Sequence, residues 1–102
     1  TSIAGNSASP GYRDGQGTEA GFFAPLSLAI AGDGTIYVGD GYKIRKISKD
    51  GYVSTIAGSA KGYKNGTVTQ ARFGNIFGLA LYGKYLFVSD YDNNSIRRIT
   101  LD

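Results

Sequence analysis

The stretch Ile36-Tyr37-Val38-Gly39-Asp40 decides the fold, because the chain repeats it as Leu86-Phe87-Val88-Ser89-Asp90. Further along, Ile44-Arg45-Lys46-Ile47 returns in the same way as Ile96-Arg97-Arg98-Ile99. The copies lie about 50 residues apart, a period typical of propellers and solenoids, whose units bury a core only against a neighbouring unit. The repeat therefore predicts an all-β protein built from two similar units.

Alternating large and small side chains predict where the strands lie. Residues 26–31 alternate Leu or Ile with Ser or Ala, and residues 77–81 alternate Phe or Leu with Gly or Ala. A period of two is typical of strands, and we expect the bulky face of one blade to pack on the thin face of the next. The predicted strands are 26–31, 35–39, 43–48 and 52–57 in the first repeat, and 77–81, 85–89 and 95–101 in the second.

The repeat is out of phase with the ends of the sequence. Ile3-Ala4-Gly5 matches Ile56-Ala57-Gly58, so residues 1–4 correspond to a fourth strand, whereas the second repeat stops before its own fourth strand. We therefore expect residues 1–102 to form a two-bladed propeller segment. Its parts are a complete four-stranded blade at 26–57, three strands of a second blade at 77–101, and an outer strand at 1–4 that is donated to a neighbouring chain.

These residues resemble the NHL-repeat β-propellers over essentially the whole chain. The resemblance is carried by Ala20, Phe22, Pro25, Ile36–Asp40, Ile44–Ile47 and Gly51–Gly58 in the first repeat, and by Ala71, Phe73, Leu86–Asp90 and Ile96–Ile99 in the second. The resemblance implies six blades in a ring that is closed by strand exchange between termini. The glycine-rich stretches before each first strand resemble those of bacterial cell-surface and secreted members, which implies an extracellular or surface location.

Two blades alone would expose two blade faces and an unpaired strand edge, which favours association. We expect copies to associate head to tail into a closed ring, because a heterologous interface that closes gives a ring. Three copies would supply six blades, whereas a dimer would have four and a tetramer eight; the alternative is a piece of a longer propeller. The expected interface consists of Thr1, Ser2, Ile3 and Ala4 on one side and Ile96, Arg97, Arg98 and Ile99 on the other.

Composition argues against several kinds of site. The chain has no His and no Cys, which removes the commonest general base and metal ligand and all thiol chemistry. We therefore expect no metal and no cofactor. The net charge is only +3, with basic residues scattered along the chain, which argues against a nucleic-acid surface. No apolar run reaches the length of a membrane span.

Charged side chains of the repeat are interpreted as structural. Asp40 and Asp90 follow the second strand of each repeat, and we expect each to cap the backbone of its own turn. The alternative makes them metal ligands or acids that face the channel. For the basic residues of the third strands, we expect long stems that cover apolar surface while their charges stay in water. These residues are Arg45, Lys46, Arg97 and Arg98.

The long loops that precede each first strand are the candidate binding surface. In an up-and-down blade they share a face with the turns between the second and third strands. Side chains suited to a polar ligand, such as a carbohydrate or a peptide, gather there. They are Tyr12, Arg13, Asp14, Tyr42, Lys43, Tyr63, Lys64, Asn65, Tyr91, Asp92 and Asn93. The alternative is that these loops are self-packed turns with the Tyr rings laid over neighbouring blades.

The sequence therefore predicts a non-enzymatic propeller segment that acts as a binding or scaffold module. A second hypothesis is a structural or engineered propeller fragment without a ligand. A third is a lyase or hydrolase that depends on carboxylates alone, since carboxylates can carry acid–base chemistry without His.

Overall fold

The computed structural model describes residues 3–5, 11–58 and 73–101. The strands are β1 (Gly15–Gln16), β2 (Pro25–Ile30), β3 (Ile36–Asp40), β4 (Lys43–Ile47), β5 (Tyr52–Ala57), β6 (Ile76–Tyr82), β7 (Tyr85–Asp90) and β8 (Ser95–Thr100). Within these residues the one helix is the 3₁₀ turn Gly17–Glu19, and no helix there is long and apolar enough to cross a membrane.

The strands form two antiparallel sheets. The first has the order β1-β5-β4-β3-β2, and the second has the order β6-β7-β8. From β2 to β5 and from β6 to β8, neighbours along the chain are neighbours in the sheet, which is the meander of a propeller blade. The short strand β1 extends the outer edge of the first sheet through the pairs Gly15↔Val53 and Gln16↔Tyr52. Sequence reasoning placed this segment in a loop.

A bulge recurs at the same position of each repeat. In the first sheet it lies between Pro25 and Ser27, directly after Pro25 pairs with Asp40. In the second it lies between Ile76 and Gly78, directly after Ile76 pairs with Asp90. The shared irregularity fixes the structural correspondence of the two repeats, with Pro25 equivalent to Ile76.

The two sheets pack face to face, with β6 lying across β2 and β3. Ala29 and Ala31 of the first sheet border the same core cluster as Leu79 and Leu81 of the second. The bulky face of one blade therefore covers the thin face of the other, as the alternation predicted. A second cluster, which includes Val38, Ile47 and Val53, lies on the opposite face of the first sheet.

The described residues near the N-terminus are a bend in this single chain. Ile3 is 62% exposed, Ala4 borders the second core cluster, and the amide of Gly5 donates to the carbonyl of Gly17 at 3.1 Å. Thr1 and Ser2 lie outside the described residues. Donation of this segment to a neighbouring chain stays a prediction.

Candidate functional site

A buried ion pair connects β3 to β4 at the loop end of the first blade. Arg45 Nη1 lies 2.8 Å from Asp40 Oδ2, and both side chains are 0% exposed. The other oxygen of Asp40 accepts the backbone amides of Phe23, at 2.9 Å, and Ala24. Asp40 therefore caps the loop that enters β2 and not its own turn. The prediction of an own-turn cap was wrong because the approaching loop offers two amide donors and β4 offers a guanidinium.

The same Arg45 fastens the long loop of residues 11–24. Its Nη1 donates to the carbonyl of Gly21 at 2.8 Å, and its Nη2 donates to the carbonyl of Arg13 at 2.9 Å. Asp14 Oδ1 adds a second carboxylate at 3.2 Å, and the Phe22 ring lies 5.0 Å from the guanidinium carbon. The expectation that this charge stays in water was wrong, because a buried cation is tolerated where carboxylates and carbonyls surround it.

The second repeat has the same arrangement. Arg97 Nη1 lies 2.9 Å from Asp90 Oδ2, and its guanidinium stands 4.9 Å from the centre of the Phe73 ring. Asp90 also accepts the amide of Gly74 and the side-chain amide of Asn93, each at 2.9 Å. Arg97 is buried, so the expectation of a solvated charge was wrong here too.

The carboxylates of Asp40 and Asp90 therefore already accept hydrogen bonds from backbone amides and arginine side chains. Among the residues that the structure describes, no group of three acidic, His or Cys side chains is arranged to hold a metal ion. The recurrence of Asp and Arg at matching places in both repeats was the sequence signal that could have revealed the pair.

An aromatic and basic cluster forms at the loop end of the first blade, and it brings together three of the predicted binding residues. The Tyr12 ring lies 5.4 Å from that of Tyr42 and 5.5 Å from that of Phe23. Lys43 Nζ lies 5.1 Å from the centre of the Tyr12 ring and 5.2 Å from the centre of the Tyr42 ring. It also donates a hydrogen bond to the carbonyl of Gly58 at 2.8 Å. Sequence reasoning missed Phe23, which is 62% exposed.

Tyr12 and two further predicted residues, Arg13 and Asp14, hold the loop together. The Tyr12 hydroxyl donates to the carbonyl of Asp40 at 3.0 Å, and burial raises the pKa of Tyr12 to about 12. Arg13 forms a bridge with Gly21 through both backbone groups. Asp14 accepts from Thr55 Oγ1 at 3.0 Å as well as from the buried arginine. Hydrogen bonds thus attach residues 11–24 to the blade, and aromatic rings lie at the surface of this part of the loop.

The corresponding end of the second blade shows a pair of exposed rings. Tyr91 is 65% exposed and Phe77 is 64% exposed, and their ring centres are 5.6 Å apart. Beside them, Asp92 accepts both the backbone and side-chain amides of Asn75. Phe77 was missed by sequence reasoning. The predicted residues Tyr63, Lys64 and Asn65 lie outside the described residues.

The predicted interface residues of β8 divide between core and surface. Ile99 is buried in the core between the sheets, whereas Ile96 is 72% exposed. Arg98 is exposed, with its guanidinium 4.7 Å from the centre of the Tyr85 ring. In the described residues β8 pairs with β7 alone, so its other edge carries no ladder.

Comparison with known proteins gives a consistent family. The teneurin NHL domain model matches residues 4–102. The chain is 40% identical over 97 residues to Protein SUPPRESSOR OF QUENCHING 1, chloroplastic, from Arabidopsis thaliana. It is 35% identical over 86 residues to Teneurin-m from Drosophila melanogaster. These matches cover 90% and 84% of this chain but 9% and 3% of the relatives.

A solved structure agrees. An auxiliary nutrient binding protein from Bacteroides ovatus superimposes with a TM-score of 0.82 at 28% identity, over 94% of this chain and 27% of that one. The resemblance to NHL repeats that the sequence showed is thereby confirmed. The chain belongs to the teneurin NHL domain family, and its two sheets have the NHL-type propeller fold.

Proposed function

We propose that this chain is a non-enzymatic propeller segment that associates head to tail with copies of itself into a closed ring, and that the ring serves as a binding and scaffold module. One observation carries the proposal. The two blade faces that the described residues leave uncovered correspond to the two halves of the blade–blade interface formed within the chain.

The thin face of the second blade is the first uncovered half. Ile44 of the first blade is 0% exposed because the second blade covers it, whereas its repeat equivalent Ile96 is 72% exposed. Ile96 borders a shallow apolar depression that is also lined by Gly78, Ala80 and Phe87. This depression is where a further blade would lie if the internal interface were repeated.

The bulky face of the first blade is the second uncovered half. Leu28 and Ile30 are 60% and 65% exposed. Their equivalents Leu79 and Leu81 are half-buried against the first blade. Burying apolar area is worth about 25 cal/mol per Å², so joining the two uncovered faces supplies a driving force for association. We call the Leu28–Ile30 face the head and the Ile96 face the tail.

Head-to-tail contacts of this kind close into a ring when the rotation per copy is right. Propellers typically have about 4–8 blades, so three copies with six blades are the preferred assembly, and two or four copies are the alternatives. Residues 1–4 of each copy would complete the second blade of its neighbour along the uncovered edge of β8. Gly5 and Gly58, which follow the same Ile-Ala pair, have nearly the same positive φ, +90° and +89°, although Ile3-Ala4 is a bend in the single chain and Ile56-Ala57 ends β5.

The loop end of the ring is the proposed binding surface for a polar ligand, a carbohydrate or a peptide. Each copy would present the Tyr12–Phe23–Tyr42 cluster and the Phe77–Tyr91 pair on rigid blades. Aromatic faces beside amides and carboxylates suit sugars and polar peptides. The Bacteroides ovatus protein of the same fold is named as nutrient binding, which supports a binding role over an enzymatic one.

The association is tested with single-face variants. Leu28→Asp blocks the head and Ile96→Asp blocks the tail, because each buries a carboxylate in an apolar joint. Light scattering should give a discrete multiple of 10.8 kDa for the unaltered chain and monomers for each variant alone. A mixture of the two variants should form heterodimers, since one intact head and one intact tail remain.

Phe23→Asp is the matched control, because Phe23 is as exposed as Leu28 but its ring contacts Tyr12 of the loop cluster. This variant should keep the mass of the unaltered chain. An unaltered chain that stays monomeric at every concentration would refute self-association. Binding on a glycan and peptide array that survives Tyr91→Ala and Tyr42→Ala would refute the assigned surface.

A further inference from the structure

We propose that Pro25 of one copy packs over Ser89 and Gly78 of the next and thereby sets the register of the two copies. The blade–blade interface between copies is called the joint between copies, and the interface between the two blades of one chain is called the internal joint. In the joint between copies the projecting residue is smaller, and the receiving surface shallower, than in the internal joint. The inference rests on the proposed head-to-tail association and specifies its register.

The internal joint shows what the position requires. Ile76 is fully buried and lies directly over Gly39. A Cβ added to Gly39 would stand 2.7 Å from Ile76 Cγ2 and 2.6 Å from Ser27 Oγ. Non-bonded contacts of a Cβ atom are essentially never that short, so the branched side chain of Ile76 fits only because its partner has no side chain.

The uncovered faces carry a matched pair of changes at these positions. Pro25 takes the place of Ile76, since each pairs with the aspartate at the end of the neighbouring strand and each precedes the bulge. The cross-strand pair Ser27↔Gly39 of the internal joint becomes Gly78↔Ser89 on the uncovered tail. The residue that must accept the projection has gained a hydroxymethyl group.

The two changes compensate each other. If the internal geometry were repeated, an isoleucine above Ser89 would bring its Cγ2 methyl to 2.7 Å from the serine Cβ, whereas proline has no branch at Cβ and leaves that space. A Cβ at Gly78 would meet nothing closer than the Ser89 Cβ at 3.7 Å, so the receiving surface is open at Gly78. Proline at position 25 thus removes side-chain volume from the head at the place where Ser89 adds volume to the tail. The two changes together keep the packing close.

Hydrogen bonding distinguishes the two joints as well. Inside the chain the amide of Ile76 donates to the carbonyl of Gly41 at 2.7 Å, across the joint. Pro25 has no N–H, so the corresponding carbonyl, that of Tyr91, would receive no such bond from the next copy. The joint between copies therefore lacks one hydrogen bond that the internal joint has, and it leaves no unpaired donor.

The experiment isolates one joint in the heterodimer of the two blocked variants. The chain with Ile96→Asp supplies an intact head, on which Pro25→Ile is introduced. The chain with Leu28→Asp supplies an intact tail, on which Ser89→Gly is introduced. The two substitutions are then on different chains, and a double-mutant cycle of dissociation constants measures their coupling directly.

We expect Pro25→Ile alone to weaken the heterodimer about tenfold, by the clash with Ser89. Combined with Ser89→Gly it should bind at least as tightly as the unaltered pair, because the methyl fits and the amide regains its acceptor. Equal thermal unfolding of the separate chains with and without Pro25→Ile checks that the fold is kept. Pro25 is exposed in the single chain, and isoleucine occupies the equivalent position in the second blade.

The outcomes separate this inference from the proposed function. If the two blocked chains do not bind each other while Pro25 and Ser89 are unchanged, the head-to-tail association is wrong and so is the proposed register. If that pair binds but the two substitutions act independently, the association stands and the assigned register is wrong.

Discussion

Arg45 and Asp40 form a 2.8 Å ion pair with both side chains completely buried, at the point where the long first loop meets the blade. A buried pair contributes less to net stability than to the arrangement of the groups around it, whereas removal of one partner leaves an uncompensated charge. Here the groups around the pair are the backbone carbonyls and amides of the loop that carries Tyr12. The ion pair therefore holds the candidate binding surface in place.

Arg45→Met should lower the free energy of unfolding by about 3–5 kcal/mol, because Asp40 would stay buried without its cation. The exposed Arg98→Met, matched in chemistry, should change it by no more than about 0.5 kcal/mol. Urea denaturation at a single protein concentration measures both. Equal losses in the two variants would contradict a structural role for the buried pair.

Gly58→Ala should destabilise the chain strongly. Its φ is +89°, where a side chain strains the backbone, and an added Cβ would collide with the carbonyl oxygen of Tyr42 and stand 2.9 Å from Lys43 Cα. At Gly32 an added Cβ meets nothing within 4 Å. Gly32→Ala should therefore be neutral or stabilising by up to about 1 kcal/mol. Similar melting temperatures for the two variants would show that the turn at Gly58 tolerates a side chain.

Strands β2 to β8 could be predicted from the sequence because each follows a local pattern. Residues 26–31 alternate Leu or Ile with Ser or Ala. Because successive side chains of a strand point to opposite faces, this alternation predicts one bulky and one thin face. The strand Tyr52–Ala57 has the predicted bounds. The two-residue strand Gly15–Gln16 was not foreseen, because its pairing depends on how a glycine-rich loop returns to the sheet edge and not on any periodicity.

The candidate site was predicted in part. Tyr12, Tyr42 and Lys43 meet because strand order alone brings the loop and the turn to one end of the blade. Burial of Arg45 was missed, since no pattern in Ile44–Ile47 distinguishes an arginine in water from one enclosed by a loop 24 and 31 residues earlier in the chain. The recurrence of Asp and Arg in both repeats indicates the ion pair, but the loop contacts that enclose Arg45 become visible only with the fold.

Stability should fall at alkaline pH because of Tyr12. Burial raises its pKa from 10.0 to about 12, so the folded state keeps the phenol proton that the unfolded state releases. The stabilisation is complete below pH 10 and is lost as the pH rises towards 12. Tyr12→Phe should reduce this slope in a plot of unfolding free energy against pH and leave the part that is due to Tyr37, whose pKa burial also raises. It should also remove the phenolate absorbance that develops last in a titration of the folded chain.

The Tyr12→Phe variant keeps the ring that contacts Tyr42 and Phe23. It loses only the hydroxyl that donates to the backbone carbonyl of Asp40. Its circular dichroism at neutral pH should therefore match that of the unaltered chain. An unchanged alkaline slope in this variant would place the late-titrating phenol elsewhere.

Removal of residues 1–4 should abolish the discrete assembly. In the proposed ring this segment pairs with the edge of β8, which carries no neighbour in the described chain, and an uncovered edge strand is prone to indiscriminate pairing. Light scattering of the truncated chain should show a broad distribution of large masses in place of a discrete multiple of 10.8 kDa. Ile3→Val, which keeps a β-branched side chain, should retain the discrete mass. A truncated chain with the mass of the intact one would show that the ring closes through the blade faces alone, without an exchanged strand.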